Sequence, residues 1–136
     1  MSPFQPQDPA FESRIRESFV RQKMMGLIGA VLTRVEPGRV EIELPFRDDL
    51  TQQHGFLHAG IVGTIADSAG GYAACTLMPA GSSVLSVEYK INLLGEYNIG
   101  GDGFEIDRIF KKCGITCIST CSGNSTYDQF ASAHKA

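Results

Sequence analysis

Residues 58–75 constrain the fold most strongly, because one acidic residue, Asp67, lies among small and apolar side chains. If this stretch is a helix, its large apolar side chains share one face and Asp67 lies on the other. The residues within about 60° of Asp67 are Gly60, Gly63, Thr64, Gly70, Gly71 and Ala74. Each glycine costs about 1 kcal/mol relative to alanine, so we expect another backbone or a ligand to approach this face closely. A carboxylate is expensive to desolvate there, which favours Asp67 as a working acid or base.

The size of the chain indicates a single domain over residues 1–136, with residues 1–8 as a flexible tail. The hydrophobic fraction of 43% and the charged fraction of 20% are typical of globular proteins, and the net charge of −3 argues against a nucleic-acid partner. No apolar run reaches the ~18 residues that a membrane span needs, and the N-terminus lacks signal-peptide features. We therefore expect a cytoplasmic protein without a membrane partner.

The four cysteines are interpreted as free thiols, in keeping with that compartment. They are Cys75, Cys113, Cys117 and Cys121, and the last three recur at every fourth residue. This spacing could suggest metal ligands, but no pair of cysteines separated by two residues and no nearby histidine completes a zinc site. The sequence therefore predicts no metal.

The N-terminal part of the chain predicts a cover helix followed by a hairpin. Asp8 as N-cap and Pro9 open the helix, and Gly26 is its expected stop. Two strands, residues 27–35 and 40–44, then flank a Pro-Gly turn. The second strand alternates between apolar and acidic residues, which indicates one buried and one exposed face.

The rest of the chain predicts a central helix and a run of strands. The helix has about 19 residues and ends near Pro79. A long strand is expected over residues 83–94, with one apolar face made of Leu85, Val87, Tyr89, Ile91 and Leu93. Shorter strands are expected over residues 104–110 and 115–121, and a short, frayed one from Gln129. This order predicts an α+β fold with an antiparallel β-sheet around a long central helix.

Residues 50–60, followed by Asp67 in the stretch 65–69, resemble the signature of hotdog-fold acyl-CoA thioesterases, and the PaaI-like (phenylacetic acid degradation) group in particular. The strand expected at residues 83–94 is also similar to the strand that follows the helix in that family. The resemblance extends from about Phe19 to Phe110. It implies a hotdog fold, a homodimer or a dimer of dimers, and coenzyme A as part of the substrate rather than as a cofactor.

The resemblance also implies a role for several residues. The amides of Ala59, the principal donor, and Gly60 would hold the oxyanion at the helix start. Asp67 would be the general base that activates water, or the nucleophile. Gln52, at the position of the family's asparagine, could orient the carbonyl or the water, or simply stabilise the loop.

Two further residues have open roles. His58 is interpreted mainly as a hydrogen-bonding residue that fixes the helix start, with a direct catalytic role as the alternative. Ser86 aligns with a serine that positions water in some relatives, or is an ordinary strand serine. His58 and Asp67 lie nine residues apart, which places them on opposite sides of one helix and ~13 Å apart along its axis. An active site shared between two protomers would resolve this geometry, as in the family.

Three features depart from the family pattern. Ala59 replaces a glycine, Gln52 replaces an asparagine, and the C-terminal third has a longer glycine-rich loop at residues 95–103. We therefore expect a modified acyl pocket. Residues that bind the coenzyme A phosphates are not identified.

The function expected from the sequence is hydrolysis of a medium-chain or aromatic acyl-CoA. The two alternative functions are a non-catalytic acyl-CoA-binding domain and a hydratase or dehydratase. Against a hydratase or dehydratase, this sequence lacks the His-containing loop that such enzymes carry before the helix.

Overall fold

The computed structural model describes residues 4–89, 91, 113–121 and 127–135. Two N-terminal helices are followed by a hairpin, a central helix and two further strands. Their bounds are α1 Phe11–Arg21, α2 Lys23–Ile28, β1 Val31–Glu36, β2 Arg39–Leu44, α3 Ala59–Cys75, β3 Cys113–Cys121 and β4 Tyr127–Lys135. A single 3-10 turn, Asp48–Leu50, lies in the loop that leads to α3. This arrangement is the α+β organisation that the sequence predicts.

The N-terminal helix begins later than predicted, and Asp8 is not its N-cap. Ala10 occupies that position, and Asp8 instead accepts hydrogen bonds from the backbone N–H of Ala10 (2.9 Å) and from Arg14 Nε (2.8 Å). The hydrogen bond from Ala10 and then that from Arg14 lower the pKa of Asp8. Asp8, placed at the end of the expected tail, is buried.

The predicted stop at Gly26 is also wrong, because Gly26 lies inside α2 and the helical segment ends at Gly29. Gly29 has a φ of 76°, a left-handed conformation that glycine adopts without steric cost. The apolar run that was assigned to one strand, residues 27–35, is thus divided between the end of α2 and β1.

Within the described residues the sheet has four antiparallel strands in the order β1-β2-β3-β4, with α3 between β2 and β3 along the chain. The predicted β1–β2 turn is confirmed, with a φ of 73° at Gly38. The alternation predicted for β2 is confirmed as well, since Val40, Ile42 and Leu44 are fully buried. These three residues belong to a core that also contains residues of α1, α2 and α3.

The strand predicted at residues 115–121 is present as β3, which pairs with β2 from Arg39 to Leu44. The expectation of a short, frayed final strand is wrong, because all nine residues of β4 pair with β3 in continuous register. The predicted strand at 104–110 and the loop at 95–103 lie outside the described residues.

Helix α3 packs against β2, β3 and β4, and its C-terminal end is tied to the rest of the protein. It has 17 residues rather than about 19, because the chain leaves the helix after Cys75. Arg14 Nη2 donates to the carbonyl oxygens of Cys75 and Met78, both at 3.0 Å. The fully buried Thr76 hydroxyl accepts from Gly38 N–H (2.7 Å) and donates to the Ala73 carbonyl (2.6 Å).

The long strand predicted at residues 83–94 does not form over residues 83–89, which pair with none of the four described strands. Lys90 and residues 92–94 lie outside the described part of the chain. The segment runs along α3 instead, and two members of its predicted apolar face are solvent-exposed: Leu85 at 89% and Val87 at 95%. Alternation of apolar residues indicated an extended backbone, but it could not show which surface that backbone would follow.

Candidate active site

The face of α3 that bears Asp67 is covered by residues 84–89 of the same chain. A Cβ atom added to Gly71 would lie 3.9 Å from Val84 Cγ1, and one added to Gly63 would lie 3.3 Å from Tyr89 Oη. These contacts, eight residues apart on the helix, show that the segment runs antiparallel to α3. The groups that approach the glycine face are thus side chains of the protein's own chain, and not the second backbone that the glycines led us to expect.

Asp67 and Ser86 are brought together between these two contacts. Ser86 Oγ lies 2.5 Å from Asp67 Oδ1, at which distance the hydroxyl donates a short hydrogen bond to the carboxylate. Asp67 is partly buried and Ser86 is exposed. Asp67 Oδ2 has no hydrogen-bond partner among the described residues, so one carboxylate oxygen is held and the other is available.

The start of α3 is capped by His58. Its Nδ1 atom accepts from the Gly60 N–H at 2.9 Å, and its carbonyl accepts from the Ile61 N–H at 2.9 Å. Since Nδ1 is an acceptor, the ring proton is assigned to Nε2. The N–H of Ala59 has no acceptor within the described part of the chain. Of the two amides predicted as oxyanion donors, only that of Ala59 is therefore free.

Gln52 is held in the loop that precedes α3. Its side-chain oxygen accepts a hydrogen bond from the backbone N–H of His54 (2.5 Å), while its backbone N–H donates to the carbonyl oxygen of Phe56 (2.8 Å). Gly55, with a φ of 81°, closes the turn by donating to Gln52 O at 2.9 Å. The amide oxygen of Gln52 thus stabilises the loop, and its Nε2 group remains as a donor.

The predicted site residues form two groups in one chain. Asp67 and Ser86 make the first group, while Gln52, His58, Ala59 and Gly60 lie at and before the start of α3. Ala59 and Asp67 are separated by eight residues, which correspond to about 12 Å along the helix axis. The two groups cannot reach one carbonyl group within a single chain.

Sequence reasoning missed two residues near Asp67. Tyr89 was assigned to the apolar face of a strand, yet its hydroxyl lies against Gly63. Gln22, in the break between α1 and α2, accepts a hydrogen bond from Ser68, next to Asp67, at 3.0 Å. Unlike the other residues on that predicted apolar face, tyrosine carries a hydroxyl group. This group was the feature of the sequence that could have indicated a polar role for Tyr89.

Across the described ranges, no cluster of three or more His, Cys, Asp or Glu side chains could hold a metal ion. Cys75 is a half-buried free thiol whose pKa is raised by burial. The side chains of Cys113, Cys117 and Cys121 lie outside what the structure describes. None of the described helices combines the length and the apolar character needed to cross a membrane.

No family model matches the chain. Among curated proteins, the Saccharolobus solfataricus protein named "Putative esterase" is 31% identical over 115 residues, which cover 83% of this chain and 76% of that protein. The nitrogenase molybdenum-iron protein alpha chain of Clostridium pasteurianum is 49% identical over 49 residues, 36% of this chain. The chain spans only 9% of the length of that nitrogenase chain, so this match carries no activity over.

Solved structures show the same architecture. A thioesterase family protein from Silicibacter pomeroyi is 33% identical, with a TM-score of 0.64 over 89% of this chain and 91% of that one. The PaaI protein of the phenylacetic acid degradation operon of E. coli is 14% identical, with a TM-score of 0.63 over 90% of this chain and 86% of that one. At that identity the second likeness concerns the fold alone.

Proposed function

Because the chain belongs to the thioesterase family of the hotdog fold, we propose that it hydrolyses an acyl-CoA to a free carboxylic acid and coenzyme A. Medium-chain and aromatic acyl groups are the proposed substrate class, and the cytoplasm is the proposed location. The observation that carries the proposal is the Asp67–Ser86 pair, an acidic group fixed on a glycine-lined helix face with one oxygen free.

Asp67 acts as general base in this proposal. The Ser86 hydroxyl holds Oδ1, which leaves Oδ2 to take a proton from water as the water oxygen attacks the thioester carbon. The C–S bond then breaks, and the thiolate of coenzyme A takes up that proton. An acylated Asp67, trapped by acid quench, would instead assign the carboxylate as nucleophile.

The oxyanion is held by the free N–H of Ala59, at the positive end of the α3 dipole. Since Ala59 and Asp67 of one chain are about 12 Å apart along the helix, the donor comes from a second copy. The exposure of Leu85 and Val87 supports such a homodimer, because both side chains flank Ser86, the residue that is hydrogen-bonded to Asp67. A symmetric pair would contain two such sites, and a dimer of dimers four.

The first experiment measures free thiol release from acetyl-, hexanoyl-, decanoyl-, palmitoyl-, phenylacetyl- and benzoyl-CoA. Asp67→Asn should lower kcat by ~10² or more, because it removes the base and keeps the side-chain shape. Asp48→Asn, at an exposed aspartate outside the site, is the matched control and should retain full turnover. Binding of acyl-CoA without turnover by the wild-type protein would point to a non-catalytic binder instead.

A second experiment tests whether the site is shared. Ala59→Pro removes the donor N–H at the first helical position, where proline is tolerated, and the extended backbone of His58 (ψ 132°) suits a following proline. Ala59→Pro and Asp67→Asn should each be inactive as homodimers. After co-refolding of equal amounts, half of the dimers are mixed and each has one intact site, so about a quarter of wild-type activity should return. No recovery in mixed dimers would place the complete site within one chain.

A further inference from the structure

Tyr89 presents an unused hydroxyl group on the face of α3 that bears Asp67. Its Oη atom lies 3.3 Å from the position that a Cβ atom on Gly63 would occupy, so it contacts the helix backbone at a residue with no side chain. The residue is 52% exposed, and within the described ranges its hydroxyl makes no hydrogen bond. Because the side chain is half exposed and its hydroxyl has no hydrogen-bond partner among the described residues, the hydroxyl is accessible to a ligand.

The position of Gly63 determines how far this hydroxyl lies from the reaction. Gly63 is four residues before Asp67, which corresponds to about 6 Å along the helix axis. This offset exceeds the hydrogen-bond reach of about 2.6–3.2 Å that a group must have to exchange a proton with the reacting atoms. If the thioester carbon lies beside Asp67, as in the proposed mechanism, this offset places Tyr89 Oη beside the acyl group and outside proton-transfer reach of that carbon.

We propose that Tyr89 is a specificity-determining residue whose hydroxyl donates a hydrogen bond to an oxygen of the acyl group, about 6 Å from the thioester carbon. This inference rests on the proposed thioesterase function. The preferred substrates are acyl groups that carry an ether, keto or hydroxyl oxygen at that distance, over their purely hydrocarbon isosteres. A site built to hydrogen-bond such an oxygen discriminates against analogues that lack it, because its own polar group is then left unpaired.

The test combines two enzymes with two isosteric substrates. 5-Methoxypentanoyl-CoA and heptanoyl-CoA differ only by an ether oxygen in place of a methylene group, five bonds from the thioester carbon. In the wild-type protein the ratio of kcat/KM for the ether over the hydrocarbon should be about three- to tenfold higher than in Tyr89→Phe. The change should lie mainly in KM, because the lost contact is the same in the ground and transition states.

Tyr72→Phe is the matched control, since it removes a tyrosine hydroxyl from the opposite, buried face of α3, where Tyr72 Oη is 3.3 Å from Ser18 Oγ. It should change the melting temperature and leave the substrate ratio at its wild-type value. If both enzymes are active and their kcat/KM ratios for the two substrates are equal, the assignment of Tyr89 is overturned and the proposed function is unaffected. Turnover of the acyl-CoA panel without turnover of either isostere also overturns this inference alone. Absence of turnover by the wild type with every member of the panel refutes the proposed function, and this inference with it.

Discussion

His58 links the loop to the central helix, and its replacement tests what the cap contributes to stability and to turnover. In His58→Ala the Gly60 N–H loses its 2.9 Å acceptor. Loss of an N-cap side chain costs about 1 kcal/mol, and this exposed amide can turn to water, which keeps the cost near that value. For a 136-residue chain this corresponds to a fall in Tm of roughly 3–4 °C.

The assay pairs thermal unfolding with thiol release for three proteins: wild type, His58→Ala and His58→Ser. Serine is a strong N-cap residue and can accept the same hydrogen bond, but it has no imidazole ring. If His58 acts only as a cap, His58→Ser should recover both the Tm and the turnover that His58→Ala loses. If the ring also contacts substrate, His58→Ser should recover the Tm alone.

Two results would refute this reasoning. An unchanged Tm in His58→Ala would mean that the cap contributes nothing measurable. A Tm in His58→Ser as low as that of His58→Ala would mean that the ring stabilises the helix start by some contact other than the one to Gly60. A Gly60→Ala variant gives an independent check, because its added Cβ would lie 3.0 Å from His58 Nδ1 and should disturb the same cap.

Three other perturbations have defined outcomes. Ser86→Ala should lower kcat about tenfold with little change in Tm, since it removes a hydrogen bond to the charged Asp67 at an exposed position; equal kcat in steady-state assays would contradict this. Thr76→Val should cost about 1–3 kcal/mol in chemical denaturation, because it leaves the Gly38 N–H without its buried acceptor, whereas Thr76→Ser should be close to wild type. The pKa of Asp8 is lowered in the folded state, so its stabilisation is complete above the unfolded pKa of about 3.9 and is lost as the pH falls through the folded value. Unfolding measured from pH 7 downward should therefore show a destabilised Asp8→Asn variant at neutral pH and a shrinking difference below about pH 4.

The parts of the fold that were predicted from sequence are those in which one local pattern determines the outcome. Strand β2 buries every second residue, and only a strand places Val40, Ile42 and Leu44 on one face. The turn before it contains a glycine where a left-handed φ is required. The helix around Asp67 was predicted in the same way, from the separation of small and large side chains.

The parts that were not predicted depend on contacts between distant segments. Residues 83–89 have the alternation of a strand, but their surroundings are set by α3, where Gly71 and Gly63 leave room for the side chains of Val84 and Tyr89. Asp8 is a residue type favoured at N-caps, but its carboxylate forms a partly buried ion pair with Arg14, which also donates a hydrogen bond to the end of α3. Local propensity cannot distinguish these alternatives, because both are compatible with the same backbone preferences.

The two ends of α3 are held in different ways, and this difference suits a shared active site. The C-terminal end is fixed by Arg14 of α1, which donates to its carbonyl groups, and by Thr76, which accepts a hydrogen bond from Gly38 in the β1–β2 turn. Among the described residues, the hydrogen bonds at the N-terminal end come from His58 and the loop before it, and Ala59 is exposed. One chain thus offers a rigidly placed carboxylate, Asp67, at the middle of the helix and a solvent-facing amide about 12 Å away. In the proposed two-fold dimer, the amide of one copy and the carboxylate of the other would complete two equivalent sites.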